Sequence, residues 1–305
     1  MKAAFDCIPC IIKQSIDAAR IGVVDENVQR LVINRVLAFL QKADYDVTPP
    51  ELGREINRIL SKEFNLSDPY HDHKERLNRF ALERYTDLKK TVYLSDDPVY
   101  LAAKLAISGN LLNIDSSRPA DQIWRLIENA HRLEFRINDF PQFIDDFINA
   151  ENILYLADNA GEIVFDRLFI EVLQRFYPER NHTFTVVVRG APIINDATLE
   201  DARLVDMEKI ARVIDNGDNA PATLLSQVSS EMRSYYEKAD LVISKGQGNY
   251  ESLNEENKLI YFVFRVKCPV ISKVLNVPEG SLVMKRSHTS EIGKFACNTN
   301  KYESI

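Results

Sequence analysis

The side chains that could do chemistry follow apolar runs in the second half of the chain. Asp158 and Asn159 come directly after the run at 153–157, and Lys245 comes directly after the run at 240–244. Other acids and amides lie beyond neighbouring runs, at Asn195, Asp196, Asp215 and Asp218. Such runs are typical of buried strands in a parallel sheet, and the carboxyl ends of parallel strands lie at one edge. We therefore expect these side chains to converge on a single site.

The residue types in this predicted site favour phosphoryl chemistry assisted by a metal ion. Carboxylates with an amide oxygen suit a hard cation such as Mg²⁺ or Mn²⁺, and softer divalent ions can also be accommodated. A lysine in a glycine-containing loop suits a phosphate group, because its ammonium is a compact charge with three donors. Metal, lysine and a helix N-terminus together indicate phosphoryl transfer or hydrolysis.

Each of these residues alone also has an ordinary explanation. Asp158, Asn159 or Asp196 could cap a helix. Lys245 could be solvated, and residues 215–219 could form a surface turn. The recurrence of such residues at successive strand ends is what indicates a site.

Periodicity divides the chain into a helical first part and an alternating second part. Before about residue 150 the apolar residues repeat at helical spacing and no β alternation is evident. Thr48 and Glu51 have the spacing of a capping box before one of these helices. Beyond that point, β-branched runs alternate with helical segments, which predicts a mainly parallel sheet with right-handed crossovers. The predicted strands are at 153–157, 183–189, 212–215, 240–244, 259–264 and 281–284.

Composition favours a cytoplasmic protein. The 305-residue chain carries a net charge of −7, which argues against a nucleic-acid partner. No apolar run approaches the ~20 residues of a membrane span, and Asp6, Lys13 and Asp17 interrupt the N-terminus too early for a signal peptide. The four cysteines do not form a disulfide scaffold in a chain of this size. We expect no membrane partner and no obligate protein partner.

Familiar nucleotide and phosphate motifs do not occur in the sequence. There is no Gly-x4-Gly-Lys-Ser/Thr loop, which argues against a P-loop nucleotide triphosphatase. No Gly-x-Gly-x-x-Gly follows the first strand of the predicted sheet, which argues against dinucleotide binding and against the usual adenosylmethionine loop. No Asp-x-Asp pair follows that strand either, so an aspartyl-phosphate intermediate is not favoured.

Four ordered motifs resemble those of the metal-dependent damage-control phosphatases, a family long catalogued as a domain of unknown function. They are Asp158-Asn-Ala-Gly-Glu162, Arg189-Gly-Ala-Pro-Ile-Ile-Asn-Asp196, Asp215-Asn-Gly-Asp218 and Lys245-Gly-Gln-Gly-Asn-Tyr-Glu251. The match covers nearly the whole chain. Cys7-x-x-Cys10 and Asp68-Pro-Tyr70 resemble the stand-alone, mostly prokaryotic and archaeal branch.

The resemblance implies both a fold and a reaction. The fold is α/β, with an all-helical N-terminal domain at 1–110 and a three-layer α/β/α domain at 111–305 that contains a mainly parallel, Rossmann-like sheet; the boundary falls between 95 and 150. The reaction is the hydrolysis of small phosphorylated metabolites, such as sugar phosphates or damaged phospho-metabolites. It would use one divalent metal ion, Mn²⁺, Mg²⁺, Co²⁺ or Ni²⁺.

The resemblance also assigns site residues by matching motif. The metal ligands would be Asp158, Asn159 and Asp196. These three are also the expected catalytic residues together with Lys245, which would meet the phosphate. The residues expected to contact substrate are Asn110, Asp115, Glu162, Arg189, Asp218, Gly246 and Asn249.

One element departs from the family pattern. The family usually has Gly-Asn-x-x-Asp on the helix that faces the site, whereas this chain has Gly109-Asn110-Leu-Leu-Asn113-Ile-Asp115. Asn110 matches. Either Asn113 replaces the acid, or Asp115 supplies it after a shift.

Two other functions and a second metal site stay open. The chain could be an adenosylmethionine-dependent carboxyl methyltransferase, an activity attached to one eukaryotic branch of the resembling family, or a non-catalytic binder of phosphometabolites. Cys7 and Cys10 form half of a zinc site, which His71 and His73 could complete only if the fold brings them near. Otherwise the cysteine pair has a structural or fortuitous role.

Overall fold

The computed structural model describes residues 1–113, 124, 132–179 and 181–287. The first part of the chain is helical, as predicted. Its helices are α1 (Cys7–Gly22), α2 (Glu26–Leu40), α3 (Pro49–Phe64), α4 (His71–Leu82), α5 (Tyr85–Tyr93) and α6 (Pro98–Ser108), followed by a 3-10 helix at Gly109–Asn113. The predicted capping box begins α3, because the Glu51 carboxylate accepts the backbone N–H of Thr48 at 2.7 Å.

The second part alternates strands and helices around one sheet. Its elements are β1 (Phe135–Asn138), α7 (Phe140–Asn149), β2 (Asn152–Leu156), α8 (Glu162–Phe176), β3 (Thr183–Val188), α9 (Leu199–Leu204), β4 (Arg212–Asp215), α10 (Ser230–Lys238), β5 (Leu241–Lys245), α11 (Gln247–Leu253), β6 (Ile260–Arg265), α12 (Pro269–Leu275) and β7 (Leu282–Arg286). The strand order is β1-β7-β6-β5-β2-β3-β4. Neighbouring strands are parallel except for β6 and β7, so the prediction of a mainly parallel sheet is confirmed.

Strand β1 shows that the expectation of no strand before about residue 150 is wrong. Phe135–Asn138 pairs with β7 at the edge of the sheet. The strand does alternate, with Phe135 buried and Arg136 exposed. Its four residues are too few for the alternation to stand out beside the strong helical pattern of α7, because short runs are ambiguous between helix and strand.

Two hydrophobic cores cover the two faces of the sheet and give it three layers. Helices α6, α7 and α8 pack on the face that contains Tyr155 and Ile243. Helices α10, α11 and α12 pack on the face that contains Leu156 and Val242. Successive strand residues point to opposite faces, so strands buried on both sides contain uninterrupted apolar runs, as at 153–156 in β2 and 241–243 in β5.

The helices of the first part divide between two cores. Helices α1, α2 and α3 form a core of their own around Val32, Val36 and Ile56. Helix α6 is apolar and buried nearly all round, and it joins the core on one face of the sheet. The domain boundary near residue 110 stays a prediction, since α6 packs with the α/β layers although it precedes that residue.

Candidate active site

The loops after β2 and β3 are held side by side at the carboxyl edge of the sheet. The N–H of Ala197 donates to the carbonyl of Asp158 at 2.8 Å. A single antiparallel bridge then sets Asn159 opposite Asp196. Two loops that are distant in sequence therefore bring the three predicted metal ligands together.

Asp196 does not cap the helix that follows it. Helix α9 is capped by Thr198, whose N–H donates to the Asp201 carboxylate at 2.8 Å. The Asp196 carboxyl group instead accepts a hydrogen bond from Arg189 Nε at 2.7 Å. Burial raises the pKa of Asp196, against the opposing effect of Arg189. Asp196 is therefore a buried acid of the site.

The amide group of Asn159 has a fixed orientation. Its Nδ2 donates to Asp158 Oδ2 at 2.5 Å and to Glu162 Oε2 at 2.9 Å. Both N–H donors are therefore used within the protein, and the amide oxygen is left for a ligand. An amide oxygen is a ligand that a hard cation accepts.

The Asp158 carboxyl group lies directly against the backbone of Gly246. A Cβ at this glycine would lie 2.2 Å from Asp158 Cγ, and Gly246 has a φ of +83°. Only glycine satisfies both conditions without strain. Burial, with Glu162 and Asp196 nearby, raises the pKa of Asp158 to about 7. Because Gly246 has no side chain, the buried Asp158 carboxyl group fits between it and the cleft.

Arg189 lies beneath both acids and is almost completely buried. Its Nη2 is 3.8 Å from Asp158 Oδ1 and has no hydrogen-bond partner within the described part of the chain. Its Nη1 is 3.4 Å from Asn249 Oδ1, which also accepts the N–H of Thr223 at 2.7 Å. Asn249 therefore braces Arg189 in this structure, and its predicted substrate contact stays a prediction.

Lys245 and Glu162 lie behind the ligands. Lys245 Nζ donates to Glu162 Oε1 at 2.8 Å, to Asp166 Oδ1 at 2.5 Å and to the carbonyl of Ala106 at 2.9 Å. Burial alone would lower the pKa of Lys245, but Asp166 and Glu162 outweigh it and the pKa is raised. The expected contact between Lys245 and phosphate stays a prediction, as does the contact of Glu162 with substrate.

Asn110 reaches the same group from the helical side. Its Nδ2 donates to Glu162 Oε2 at 2.7 Å and lies 3.4 Å from Asp158 Oδ2. The 3-10 helix after α6 therefore contributes to the site although it precedes the sheet in sequence. Asp115, the other residue predicted here, lies outside the described residues, and so does the side chain of Asn113.

The loop after β4 contributes less to the cleft than was expected from sequence. Asp215 accepts the N–H of Gly217 at 2.8 Å, as in an ordinary turn. Asp218 is buried, and its Oδ1 accepts a hydrogen bond from Arg54 Nε of α3 at 2.7 Å. Asp218 therefore joins the helical part to the sheet edge, and its role toward substrate stays a prediction.

A cleft of about 250 Å³ opens above Asp158, Asn159 and Asp196. Its other walls come from the starts of α1, α3 and α11, from Pro221 and from the loop after β6. Lys267 lies in this wall, and its charge lowers the pKa of both Asp158 and Asp196. Its exposed ammonium forms no ion pair with any described residue. Sequence reasoning missed Lys267, although it closely follows the predicted strand at 259–264.

The charge of the buried groups fits a divalent cation. Asp158, Asp196, Glu162 and Asp166 are four buried acids, and they are accompanied by two buried cations, Arg189 and Lys245. When all are ionised, the excess is two negative charges. No three His, Cys, Asp or Glu side chains among the described residues form a ready metal cage. The candidate ligand set is different, since it consists of two acids, one amide oxygen and open positions toward the cleft.

The cysteines line the outer part of the same cleft. Cys7, Cys10 and Cys268 are free thiols, and burial raises the pKa of Cys7 and Cys10. His71 lies elsewhere, with its Nδ1 3.7 Å from Glu200. The described residues therefore provide no histidine that completes a zinc site with Cys7 and Cys10.

Comparison with known proteins agrees with the resemblance seen in the motifs. Residues 3–283 match the damage-control phosphatase ARMT1-like domain. A damage-control phosphatase of Pyrococcus horikoshii is 31% identical over 94% of this chain and 99% of its own length. A damage-control phosphatase of Archaeoglobus fulgidus is 31% identical over 93% and 99%, and an uncharacterized protein of Methanocaldococcus jannaschii is 34% identical over 92% and 93%.

A solved structure has the same fold. It is the crystal structure of a DUF89 family protein from Pyrococcus horikoshii, which superimposes with a TM-score of 0.87 at 31% identity and covers 94% of this chain and 99% of its own. Within the described residues, no helix combines the length and the apolar character needed to cross a membrane.

Proposed function

Because this chain belongs to the damage-control phosphatase family with the ARMT1-like domain, we propose that it is a phosphatase that hydrolyses small phosphorylated metabolites with one divalent cation. The observation that carries the metal dependence is the excess of buried acids at an open cleft. Asp158 and Asp196 lie there beside Asn159, whose amide nitrogen is held by Asp158 and Glu162 and whose oxygen is left for a ligand. Mn²⁺, Mg²⁺, Co²⁺ and Ni²⁺ all suit such a set. The cytoplasmic location stays an expectation from composition.

Asp158, Asn159 and Asp196 would hold the cation. When bound, it would neutralise charge on the phosphoryl group and lower the pKa of an attacking water. Lys267 would bind phosphate oxygens from the wall of the cleft, where its ammonium is exposed. Arg189 Nη2, 3.8 Å from Asp158 Oδ1, would partly compensate the charge of that proposed ligand. Both groups are placed before substrate arrives, so little reorganisation is needed.

Hydrolysis of p-nitrophenyl phosphate by chelator-treated protein, with each of the four metals in turn, tests the proposal. We expect activity only after a divalent ion is added. Activity that survives chelation would contradict the metal dependence. Tight adenosylmethionine binding without any phosphatase activity would favour the methyltransferase instead.

Asp158→Asn and Asp196→Asn connect the activity to this cleft. Each removes one charge at nearly constant shape, so we expect weaker Mn²⁺ binding in calorimetry and a loss of at least ~10²-fold in activity. Asp218→Asn is the matched control, with near-normal Mn²⁺ affinity, because Asp218 pairs with Arg54 outside the ligand set. Unchanged Mn²⁺ affinity in both site variants would exclude this metal site.

A further inference from the structure

The ammonium of Lys245 has no donor left for a ligand. An ammonium carries three N–H donors, and Glu162, Asp166 and the carbonyl of Ala106 accept all three. Lys245 is 0% exposed, and the side chains that line the cleft do not include it. To reach a phosphate in the cleft, Lys245 would have to leave two buried acids without a cation.

The direction of Lys245 follows from the alternation of its strand. Leu241 and Ile243 of β5 belong to the core beneath α6 and α8, and Lys245 has the same parity. Its side chain therefore extends toward Asp166 and Glu162, which lie in the first turns of α8. We call Lys245, Glu162 and Asp166 the buried ion cluster.

Glu162 links this cluster to the ligands through its second oxygen. Glu162 Oε1 accepts a hydrogen bond from Lys245 Nζ. Glu162 Oε2 accepts hydrogen bonds from Asn110 Nδ2 at 2.7 Å and from Asn159 Nδ2 at 2.9 Å. An ionised carboxylate only accepts hydrogen bonds, so both amides must turn their NH₂ groups toward it. For Asn159 this leaves the oxygen on the cleft side.

We propose that Lys245 and Glu162 are positioning residues that act on the metal site through Asn159. Lys245 holds the Glu162 carboxylate in place, and Glu162 keeps the Asn159 oxygen toward the cation. This inference rests on the proposed metal-dependent phosphatase function. It gives the phosphate-binding role of a lysine to Lys267, which is exposed in the cleft.

Loss of the ammonium should reverse the Asn159 amide. Among the described residues, Lys245 alone donates to Glu162 Oε1, so without Lys245 that oxygen loses its partner and the side chain can move away from Asn159. Once Glu162 no longer accepts from its amide nitrogen, Asn159 can turn its NH₂ group toward the cleft. An NH₂ group cannot bind a cation.

Glu162→Gln and Lys245→Met test the inference through Mn²⁺ binding measured by calorimetry without substrate. Glu162→Gln keeps the shape of the side chain but allows its NH₂ to face Asn159. We expect Mn²⁺ affinity to fall about 10- to 100-fold in both variants, the usual effect of removing a partner that orients a ligand. In Glu162→Gln, saturating Mn²⁺ should restore most of the turnover.

Tyr155→Phe is the matched control beside the buried ion cluster. Tyr155 donates to Asp166 Oδ1 at 2.7 Å and forms no hydrogen bond with Glu162 or Asn159 among the described residues. We expect lower thermal stability with unchanged Mn²⁺ affinity, which separates orientation of the ligand from general weakening of the fold. A fall in Mn²⁺ affinity as large as that of Glu162→Gln would overturn the inference.

Affinity for inorganic phosphate in the presence of Mn²⁺ separates the two lysines. We expect Lys267→Met to weaken phosphate binding while Mn²⁺ affinity stays level or rises. If Lys245→Met does this instead, Lys245 binds the phosphate and the inference is wrong.

If Lys245→Met does not fold, the Mn²⁺ affinity of Glu162→Gln decides. Wild-type protein that binds no divalent ion would overturn the proposed function as well, whereas equal Mn²⁺ affinity in wild type and Glu162→Gln would overturn only this inference.

Discussion

Gly246 is the residue whose backbone and whose missing side chain both shape the site. Its φ of +83° favours glycine, and a Cβ would collide with the Asp158 carboxyl group at 2.2 Å. The collision is with a buried side chain that has little room to move, so an added methyl group must displace the proposed ligand. The backbone conformation and the ligand position are therefore coupled at a single residue.

We predict that Gly246→Ala abolishes Mn²⁺ binding and most phosphatase activity. Gly280→Ala is the matched control, because Gly280 has a φ of +84° and its Cβ would meet only the Arg265 side chain, at 3.1 Å. Both variants place an alanine at a positive φ, which costs roughly 1–3 kcal/mol, and Gly246, with a ψ of 154°, lies in a region that is essentially confined to glycine. Thermal unfolding should therefore show a loss of stability in both, while calorimetry shows a loss of Mn²⁺ binding in Gly246→Ala alone. Equal Mn²⁺ affinity in the two variants would mean that the contact with Asp158 is unimportant.

Lys245 and Lys267 show how far the sequence alone predicts the role of a single residue. The rule that polar side chains collect at strand ends identifies Lys245, and the same rule applied to 259–264 would have identified Lys267. The rule predicts which edge of the sheet a side chain lies at, but it does not predict whether that side chain is buried or exposed there. Lys245 ends its strand on a face that is covered by α6 and α8, whereas Lys267 lies two residues beyond β6 in the open wall. Which helices cover an edge is a property of the tertiary structure.

At the scale of elements, α3 is joined to the edge of the sheet by one buried ion pair. Arg54 Nε donates to Asp218 Oδ1 at 2.7 Å, and the Asp218 side chain is 4% exposed. The start of α3 also forms part of the cleft wall. The position of α3, and with it the width of the cleft, therefore depends in part on this pair, beside the hydrogen bond from Asn57 Nδ2 to the carbonyl of Pro192 at 3.2 Å.

We predict that Arg54→Met raises the KM for p-nitrophenyl phosphate and lowers stability, with little effect on Mn²⁺ affinity. Removing one partner of a buried pair leaves an uncompensated charge and costs about 3–5 kcal/mol when both are fully buried. We expect a smaller loss here, since Arg54 is 13% exposed. Arg35→Met is the control, because Arg35 and Glu63 form an exposed pair between α2 and α3, of a kind that contributes at most about 1 kcal/mol. If both variants have the wild-type KM, α3 is not held by Arg54.

The elements themselves were predictable to different degrees. Strands β2 and β5 are buried on both faces, so each contains an apolar run, at 153–156 and 241–243, and both strands were found. Strand β1 was missed because it lies at the edge and has only four residues. Its place beside β7 depends on a pairing across about 150 residues, which no local pattern contains.

At the scale of the whole molecule, the ionised form of Asp158 opposes folding. Four acids and two cations lie beneath the cleft, and Asp158 is the acid whose pKa is raised to about 7 by burial and by its acidic neighbours. A raised pKa in the folded state means that the ionised carboxyl group is less stable there than in the unfolded chain. Without metal, the ionised Asp158 carboxyl group therefore destabilises the folded protein, although the proposed metal site needs that carboxyl group for activity.

We predict that Asp158→Asn melts at a higher temperature than wild type without metal and at a lower temperature with it. Without metal, the substitution removes a buried charge. With Mn²⁺ at 100 times its Kd, the free energy of unfolding of the wild type should rise by about 2.7 kcal/mol, and the variant should lose most of this gain.

Asp240→Asn is a control of opposite sign, because Asp240 accepts the backbone N–H of Asn152 at 2.7 Å and its pKa is lowered, chiefly by that bond. That variant should melt lower than wild type both with and without Mn²⁺. A metal-free Asp158→Asn that melts below wild type would show that the charge of Asp158 is already compensated by the protein, and that the excess of acids is not what prepares the cleft for a cation.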